Sequence, residues 1–343
     1  MGNLEHSFLV LDLNSGGRDW SEIGVLWGLN GRGDSALIFA RPPWDKMGER
    51  SLLYWSMKPI TAVLPPWIVL DSLLQTWLLE DIGRGDRTSG GLGIPDDRLF
   101  QARWGVKEAG VIAGLPVAER VFALLDSRVE FTPMVAEGQV CDRGEIIATL
   151  KGPLSPLLMG ERVALNLAMR LSGIASLTRQ YVARIADLPA RLVDTRKTTP
   201  GLRILEKYAM QVGGAMNHRM GLDDGVLIKD NHIAAAGGIG AAMAQIRDRI
   251  PYPLTVEVET ENLAQVQAAL DHQADIIMLD NMPPELMREA VQLIRAASER
   301  TKIEASGNIT LETIRGVAET GVDYISSSAP ITRSTWLDLS MKM

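Results

Sequence analysis

The 343-residue sequence predicts an α/β fold whose second half is a barrel of parallel strands. Three observations carry that expectation. From about Arg191 onward a short apolar run, a polar residue at its end and a loop into a helical pattern recur six times, the rhythm of buried parallel strands alternating with helices. Between Arg103 and Lys151, short apolar runs are broken by turn residues at Gly105, Gly110, Gly114-Leu115-Pro116, Glu137-Gly138 and Arg143-Gly144, as in a strand-rich unit. Joining the two, Val163, Leu167, Leu171 and Ile174 mark one long helix, about Leu158 to Ile185.

Along the chain, residues 1 to 57 hold four of the eight tryptophans but keep no sustained period, and so predict no fold. Gly31-x-Gly33-x-x-Ala36 has the spacing of a dinucleotide fingerprint, yet the helix that should follow is stopped by Pro42-Pro43. From Ile68 the pattern turns helical, with Ile68, Leu70, Leu73, Leu74, Trp77 and Leu78 on one face, and Gly83 to Ser89 reads as a loop. The six strand ends are Leu192-Val193 into Asp194, Val226 to Ile228 into Lys229, Val256 and Val258 into Glu259, Ile276 to Leu279 into Asp280, Ile303 into Glu304 to Ser306, and Tyr324-Ile325 into Ser326 to Ser328. In an α/β barrel the carboxyl ends of the strands carry the active site, so these polar residues stand where chemistry belongs.

Composition narrows the function. A formal charge of −7 argues against nonspecific nucleic-acid binding, because the phosphate backbone would be repelled. Against that background Arg191 to Lys229 carries seven Lys or Arg and four Asp or Glu, a basic segment suited to a small anionic ligand. The apolar tract Ile60 to Leu70 contains Pro65-Pro66 and falls well short of the roughly 20 residues of a membrane helix. No membrane span and no targeting segment is expected. One cysteine, Cys141, rules out an intrachain disulfide, and four histidines lack zinc-ligand spacing, which suits a cytoplasmic protein.

Within the basic segment, Asp194-Thr195-Arg196-Lys197-Thr198-Thr199-Pro200-Gly201 sets two cations and three hydroxyls on one loop, a composition fitted to carboxylate and phosphate oxygens. The plainer alternative is a surface loop whose threonines cap the next helix. Asn217-His218-Arg219 and Ile228-Lys229-Asp230-Asn231-His232 add further cationic or proton-bearing groups. Glu259 and Asp280 end apolar strands, where carboxylates could hold magnesium or ribose hydroxyls, although Asp280-Asn281 before Pro283-Pro284 also reads as a helix cap. Ser306-Gly307-Asn308 and Ser326 to Ser328 are donor-rich loops late in the pattern, where such barrels bind phosphate.

Taken in order, these motifs resemble the quinolinate phosphoribosyltransferase family. The match runs from about residue 60 to the end and includes Glu80-Asp81-Ile82-Gly83, Glu161-Arg162, Arg170-Leu171-Ser172-Gly173, the Asp194 to Arg203 loop, Asn217-His218-Arg219, Ile228 to His232, Glu257-Val258-Glu259, Leu279-Asp280-Asn281, Ser306-Gly307 and Gly321 to Tyr324. The resemblance implies that Arg196, His218, Arg219 and Lys229 bind quinolinate, with Arg162 reaching in from a partner subunit of a homodimer or higher homo-oligomer. It implies that Lys197, Glu259, Asp280, Ser306, Gly307 and Ser328 serve phosphoribosyl pyrophosphate, with magnesium as cofactor held by Glu259 and Asp280, and that Lys197, Lys229, Glu259 and Asp280 form the catalytic set. It further implies an N-terminal α/β sandwich domain over residues 58–165, to which the tail 333–343 returns, and an incomplete (β/α) barrel over 166–332, preceded by an extension of unknown structure.

Two departures stand out. Ser328-Ala329-Pro330-Ile331-Thr332 replaces a loop that in the family often reads Gly-Ala-Leu-Thr-His, so no histidine role falls on Thr332, and the first 57 residues exceed the family pattern. A related protein of the same fold acting on another acceptor, or a noncatalytic anion sensor, would share many of these motifs; release of pyrophosphate and carbon dioxide separates enzyme from sensor.

Overall fold

The computed structural model describes residues 62–343. The segment 1–57, its fingerprint spacing at Gly31 and its expected boundary lie outside the described residues. The first helix, α1 (Trp67–Ile82), starts directly after Pro66 and ends at Gly83. It buries Leu70, Leu74 and Leu78, one residue per turn, while Ile68 is 88% exposed, so the buried stripe is narrower than the hydrophobic pattern suggested. Gly83 to Ser89 is not all loop: Asp86 accepts the amide protons of Thr88 and Ser89 at 2.9 and 3.2 Å and so starts a short α2 (Arg87–Leu92).

Next come β1 (Leu99–Val106), β2 (Gly110–Val111), α3 (Leu115–Leu125), β3 (Glu130–Pro133), β4 (Val140–Cys141), β5 (Ile146–Pro153) and α4 (Leu154–Arg184). The stretch is strand-rich as its turn residues predict, and α3 is the helix that they did not place. Gly114-Leu115-Pro116 opens a helix there, because Glu137, 22 residues on in sequence from Leu115, accepts the free amide protons of Gly114 and Leu115 at 3.0 and 2.6 Å. The strands β3, β5 and β1 pair antiparallel with the C-terminal β12 (Leu339–Lys342) in the order β12-β1-β5-β3. Trp104, Phe122 and Phe131 fill the space between this sheet and α3, with Trp104 edge-on to Phe131 at 5.5 Å.

The long helix α4 begins at Leu154, earlier than the apolar period indicated, and runs without a break through position 165/166, so a single rigid element belongs to both halves. The tail crosses it at Gly173, where a Cβ would stand 1.9 Å from the Thr335 carbonyl oxygen; only glycine admits that crossing.

Beyond α4 the chain alternates β6 (Arg191–Val193), α5 (Arg203–Gly213), β7 (Val226–Ile228), α6 (Asp230–Ala236), α7 (Ile239–Arg247), β8 (Val256–Thr260), α8 (Leu263–Asp271), β9 (Ile276–Asp280), α9 (Pro284–Ala297), β10 (Lys302–Ser306), α10 (Ile314–Ala318), β11 (Tyr324–Ser326) and α11 (Ala329–Thr332). The six strands pair in parallel in the order β6-β11-β10-β9-β8-β7. Because β6 and β7 are the two ends of that order, the barrel is open between them: an incomplete barrel. Among the described residues no helix is long and apolar enough to cross a membrane.

Candidate active site

All six strands run the same way, so their carboxyl ends share one face, and that face gathers Arg196 and Lys197 after β6, Lys229 after β7, Glu259 late in β8, Asp280 ending β9, Ser306 and Gly307 at the end of β10, and Ser328 after β11. The loop after β6 is braced from both sides. Arg203 donates to the Thr198 hydroxyl at 3.1 Å and to the Arg196 carbonyl at 3.4 Å, and Thr199 is held by Glu206. Thr198 and Thr199 thus shape the loop through internal bonds and do not cap α5, whose N-cap Leu202 has no side-chain bond. Lys197 is exposed, and its ammonium has no partner among the described residues. The Nε of Arg196 is buried and unpaired, and Arg219 is close enough for burial and the Arg196 charge together to lower its pKa. Two cations therefore face one space with little internal compensation.

Beneath them the barrel floor is acidic. Alternation along β8 points Glu257 and Glu259 to the same side, and Glu257 is buried there with Glu304 of β10. His218 Nε2 lies 3.1 Å from Glu257 and 3.5 Å from Glu304. Burial works against the imidazolium, but the Glu257 hydrogen bond and the charges of Glu304 and Glu257 outweigh it and raise the His218 pKa. Burial first, and then the Glu257 charge, push the Glu304 carboxyl up to about 7. Asp194 pairs with Lys207 in full burial and also accepts the His218 amide proton at 2.8 Å; burial pushes Asp194 up to about 6 and lowers Lys207, with their ion pair opposing both shifts.

His218, Glu257 and Glu304 are also a grouping whose ligand atoms lie within 4.8 Å of one another. The geometry disfavours a metal there. His218 Nδ1 accepts the Arg219 amide proton at 2.7 Å, so the ring proton sits on Nε2, which is then a donor to the carboxylates with no lone pair to offer.

Glu259 and Asp280 suit a hard cation better. Lys229 Nζ is 2.5 Å from Glu259 Oε2, and Asn281 donates to Asp280 Oδ2 at 2.7 Å, which leaves one oxygen of each carboxylate without a donor among the described residues. Magnesium takes such oxygens one or two at a time and fills its shell with water and substrate phosphates, so the donor set fits. The helix-cap reading of Asp280 is overturned: α9 begins at Pro284, its N-cap is Pro283, and no side chain caps it. What aligns Asp280 is Asn281, whose side chain also accepts from Asn308 at 3.1 Å and whose amide donates to the Ser306 carbonyl at 2.9 Å. Gly307 closes this corner at φ +96°, where a Cβ would lie 2.2 Å from Asn281 Oδ1. The Ser328 carbonyl accepts from Thr332 at the start of α11, so Thr332 is turned to a local bond.

Arg162 is the one expected site residue that stands apart. It lies on α4, 58% exposed, and its only ionic partner among the described residues is Glu161 at 3.8 Å. Conversely, Glu257, Glu304, Asn281 and Asn308 were not assigned roles by sequence. A signal existed for the first two, since a glutamate between apolar neighbours, as in Val256-Glu257-Val258 and Ile303-Glu304-Ala305, is a charge where a buried strand expects none.

Comparison with known proteins completes the picture. Residues 174–342 match the family "Quinolinate phosphoribosyl transferase, C-terminal domain", and residues 86–172 match its N-terminal domain. Proteins described as probable nicotinate-nucleotide pyrophosphorylase (carboxylating) are 59% identical over 85% of this chain and 98% of theirs in Synechocystis sp., and 45% identical over 79% and 92% in Bacillus subtilis. The crystal structure of NadC from Streptococcus pyogenes superposes with a TM-score of 0.78 at 41% identity, covering 82% of this chain and 98% of that one. With both domains matched and the parallel barrel's strand ends carrying the expected cations and carboxylates, the chain belongs to the quinolinate phosphoribosyltransferase family.

Proposed function

We propose that this protein transfers the phosphoribosyl group of phosphoribosyl pyrophosphate to quinolinate, releasing pyrophosphate and carbon dioxide and forming nicotinate mononucleotide for NAD biosynthesis. The observation that carries this reading is the pairing of Arg196 and Arg219, the first with a buried Nε that has no partner among the described residues and the second, bonded to the Gly225 carbonyl at 2.9 Å, with its pKa lowered by burial and by its neighbour's charge. A dianion with two adjacent carboxylates relieves both. At an effective dielectric near 20, each cation at about 4 Å contributes roughly 4 kcal/mol before desolvation, so Arg196, Arg219 and Lys229 together offset the loss of quinolinate's water.

In this mechanism the cations hold quinolinate with its ring nitrogen toward the anomeric carbon, as positioning in a near-attack geometry requires. The nitrogen–carbon bond forms as the bond to pyrophosphate breaks, with positive charge developing on the ribose. Glu259 and Asp280 would hold a magnesium ion, which supplies charge neutralisation at the leaving pyrophosphate. Lys197, free and exposed, and the Ser306-Gly307 and Ser328 donors meet the phosphates. When the 2-carboxylate leaves as carbon dioxide its bonding pair stays on the 2-carbon, stabilised by the adjacent cationic ring nitrogen, and that pair then takes up a proton from solvent. Lys229 holds Glu259 in place until substrate competes for its ammonium.

The same reading assigns Arg162, exposed and loosely paired, to the quinolinate of a partner subunit in a homodimer or larger homo-oligomer, and places the protein in the cytoplasm. Mass spectrometry after incubation with quinolinate, phosphoribosyl pyrophosphate and magnesium tests the activity: nicotinate mononucleotide is expected, and an unreacted mixture contradicts it.

A further inference from the structure

Outside the residues assigned to substrates, Arg170 and Glu206 form a buried hub. Glu206 sits on α5 with its carboxylate wholly inside the protein. One of its oxygens accepts from Arg170 Nε at 3.1 Å, Arg170 Nη2 at 2.8 Å and the Thr199 hydroxyl at 2.8 Å, and the other accepts the Thr199 amide proton at 2.8 Å. Arg170, on α4, turns its remaining donors to the Ile331 carbonyl at 2.8 Å and the Ser334 hydroxyl at 2.9 Å. One ion pair thus joins four segments: the long shared helix, α5, the basic loop at Thr199, and the end of α11 with the tail behind it. Thr199 follows Arg196 and Lys197 directly along that loop, and Ile331 lies on the turn that Ser328 begins.

A buried ion pair is a poor way to gain stability, since an apolar pair of similar volume does as well, but it fixes geometry through directed bonds. Here the directed bonds fall on the two loops that follow β6 and β11, strands that are themselves neighbours in the sheet. We infer that Arg170 and Glu206 are positioning residues, a clamp that holds the Arg196-Lys197 loop in register with the Ser328–Thr332 turn so that acceptor and phosphoribosyl donor are presented together. The inference rests on the proposed assignment of those loops to quinolinate and to phosphoribosyl pyrophosphate.

Three variants test it. Glu206→Gln keeps an acceptor for Arg170 but cannot accept both the Thr199 amide and the guanidinium; Arg170→Lys keeps the charge on Glu206 but loses the reach to Ile331 and Ser334; Arg170→Met with Glu206→Leu keeps volume and removes every directed bond. Thermal melting, kcat and the KM of each substrate are measured for each beside the wild type. Melting near the wild-type temperature is expected for the double variant, with kcat/KM down roughly 100-fold, the scale of a small misplacement of reacting groups. Glu206→Gln should raise the KM for quinolinate through Arg196 and that for phosphoribosyl pyrophosphate through Lys197, both on the loosened loop, and Arg170→Lys should recover part of the double variant's loss. A folded double variant with wild-type kcat/KM overturns the clamp, and so does a set of variants that all fail to fold, which would make the pair structural. A wild-type protein without turnover on these substrates refutes the functional reading and the clamp with it.

Discussion

At the scale of single residues, the site depends on side chains whose partners lie far along the chain. Asp280 is held through its neighbour Asn281, whose own partner Asn308 lies 27 residues on. Sequence offered Asp280 two roles, carboxylate ligand or helix cap, and the structure removes the second by starting α9 at Pro284 behind Pro283. Asp280→Asn should therefore leave the melting temperature nearly unchanged, well inside the roughly 1 kcal/mol that loss of a cap costs, while lowering turnover at least about 100-fold, as loss of preorganised charge stabilisation does, and weakening its magnesium dependence. Near-normal turnover in that variant would remove Asp280 from the phosphate side of the site. Gly307 makes a second residue-scale claim. Gly307→Ala puts a methyl where Asn281 Oδ1 now stands, at a φ that alanine avoids by about 1 kcal/mol or more, so the KM for phosphoribosyl pyrophosphate should rise on the order of tenfold with the KM for quinolinate little changed. Steady-state titration of each substrate separates the two.

At the scale of elements, β8 and β10 show what a strand pattern reveals and what it hides. The apolar positions Val256, Val258, Ile303 and Ala305 announce buried strands, and all four are buried. The strand ends were read at Glu259 and at Glu304 to Ser306; Glu259 and Ser306 do stand there, whereas Glu304 lies mid-strand, and the inward turn of Glu257 and Glu304 onto His218 needs β8, β9 and β10 laid side by side, which no local pattern encodes. That acidic floor has a consequence for stability. Glu304 holds its proton up to about pH 7 when folded, against an ordinary value of 4.5, so its contribution is fully present at low pH and is lost as pH rises through that window. The raised His218 and Asp194 act in the same direction, and the lowered Lys207 acts in the opposite one. Unfolding stability should fall between pH 5 and pH 8, and Glu304→Gln should flatten that fall by on the order of 1 to 3 kcal/mol. Denaturant midpoints across this range check it; a wild-type curve that rises with pH, or one that the substitution leaves unaltered, would contradict the charge assignment.

For the whole molecule, the barrel was legible because six apolar runs with polar ends are a repeated signal, whereas the N-terminal domain was legible only in part. Its turn residues at Gly114 to Pro116 start a helix in the protein because Glu137, remote in sequence, caps it. The continuity of α4, by contrast, was legible in its own apolar period at Val163, Leu167, Leu171 and Ile174, and only its start at Leu154 was not. Placed on that helix, exposed and away from the strand ends, Arg162 gives the proposed oligomer its most direct functional prediction. Arg162→Ala and Lys229→Ala proteins should each be weak, and subunit exchange between them should restore about a quarter of wild-type activity, because half the dimers are mixed and each mixed dimer keeps one intact site. Exchange confirmed by mass with no return of activity would place Arg162 outside the partner's site.

The claim on which everything else rests is that phosphoribosyl transfer and decarboxylation are coupled on one acceptor. Quinolinate labelled in its 2-carboxylate, incubated with the protein, magnesium and phosphoribosyl pyrophosphate, should release label as carbon dioxide one for one with pyrophosphate, and omission of phosphoribosyl pyrophosphate should abolish both. Nicotinate, with a single carboxylate for the cations of Arg196, Arg219 and Lys229, should yield little pyrophosphate. Pyrophosphate without labelled carbon dioxide, label released without phosphoribosyl pyrophosphate, or nicotinate turned over as fast as quinolinate would contradict the account.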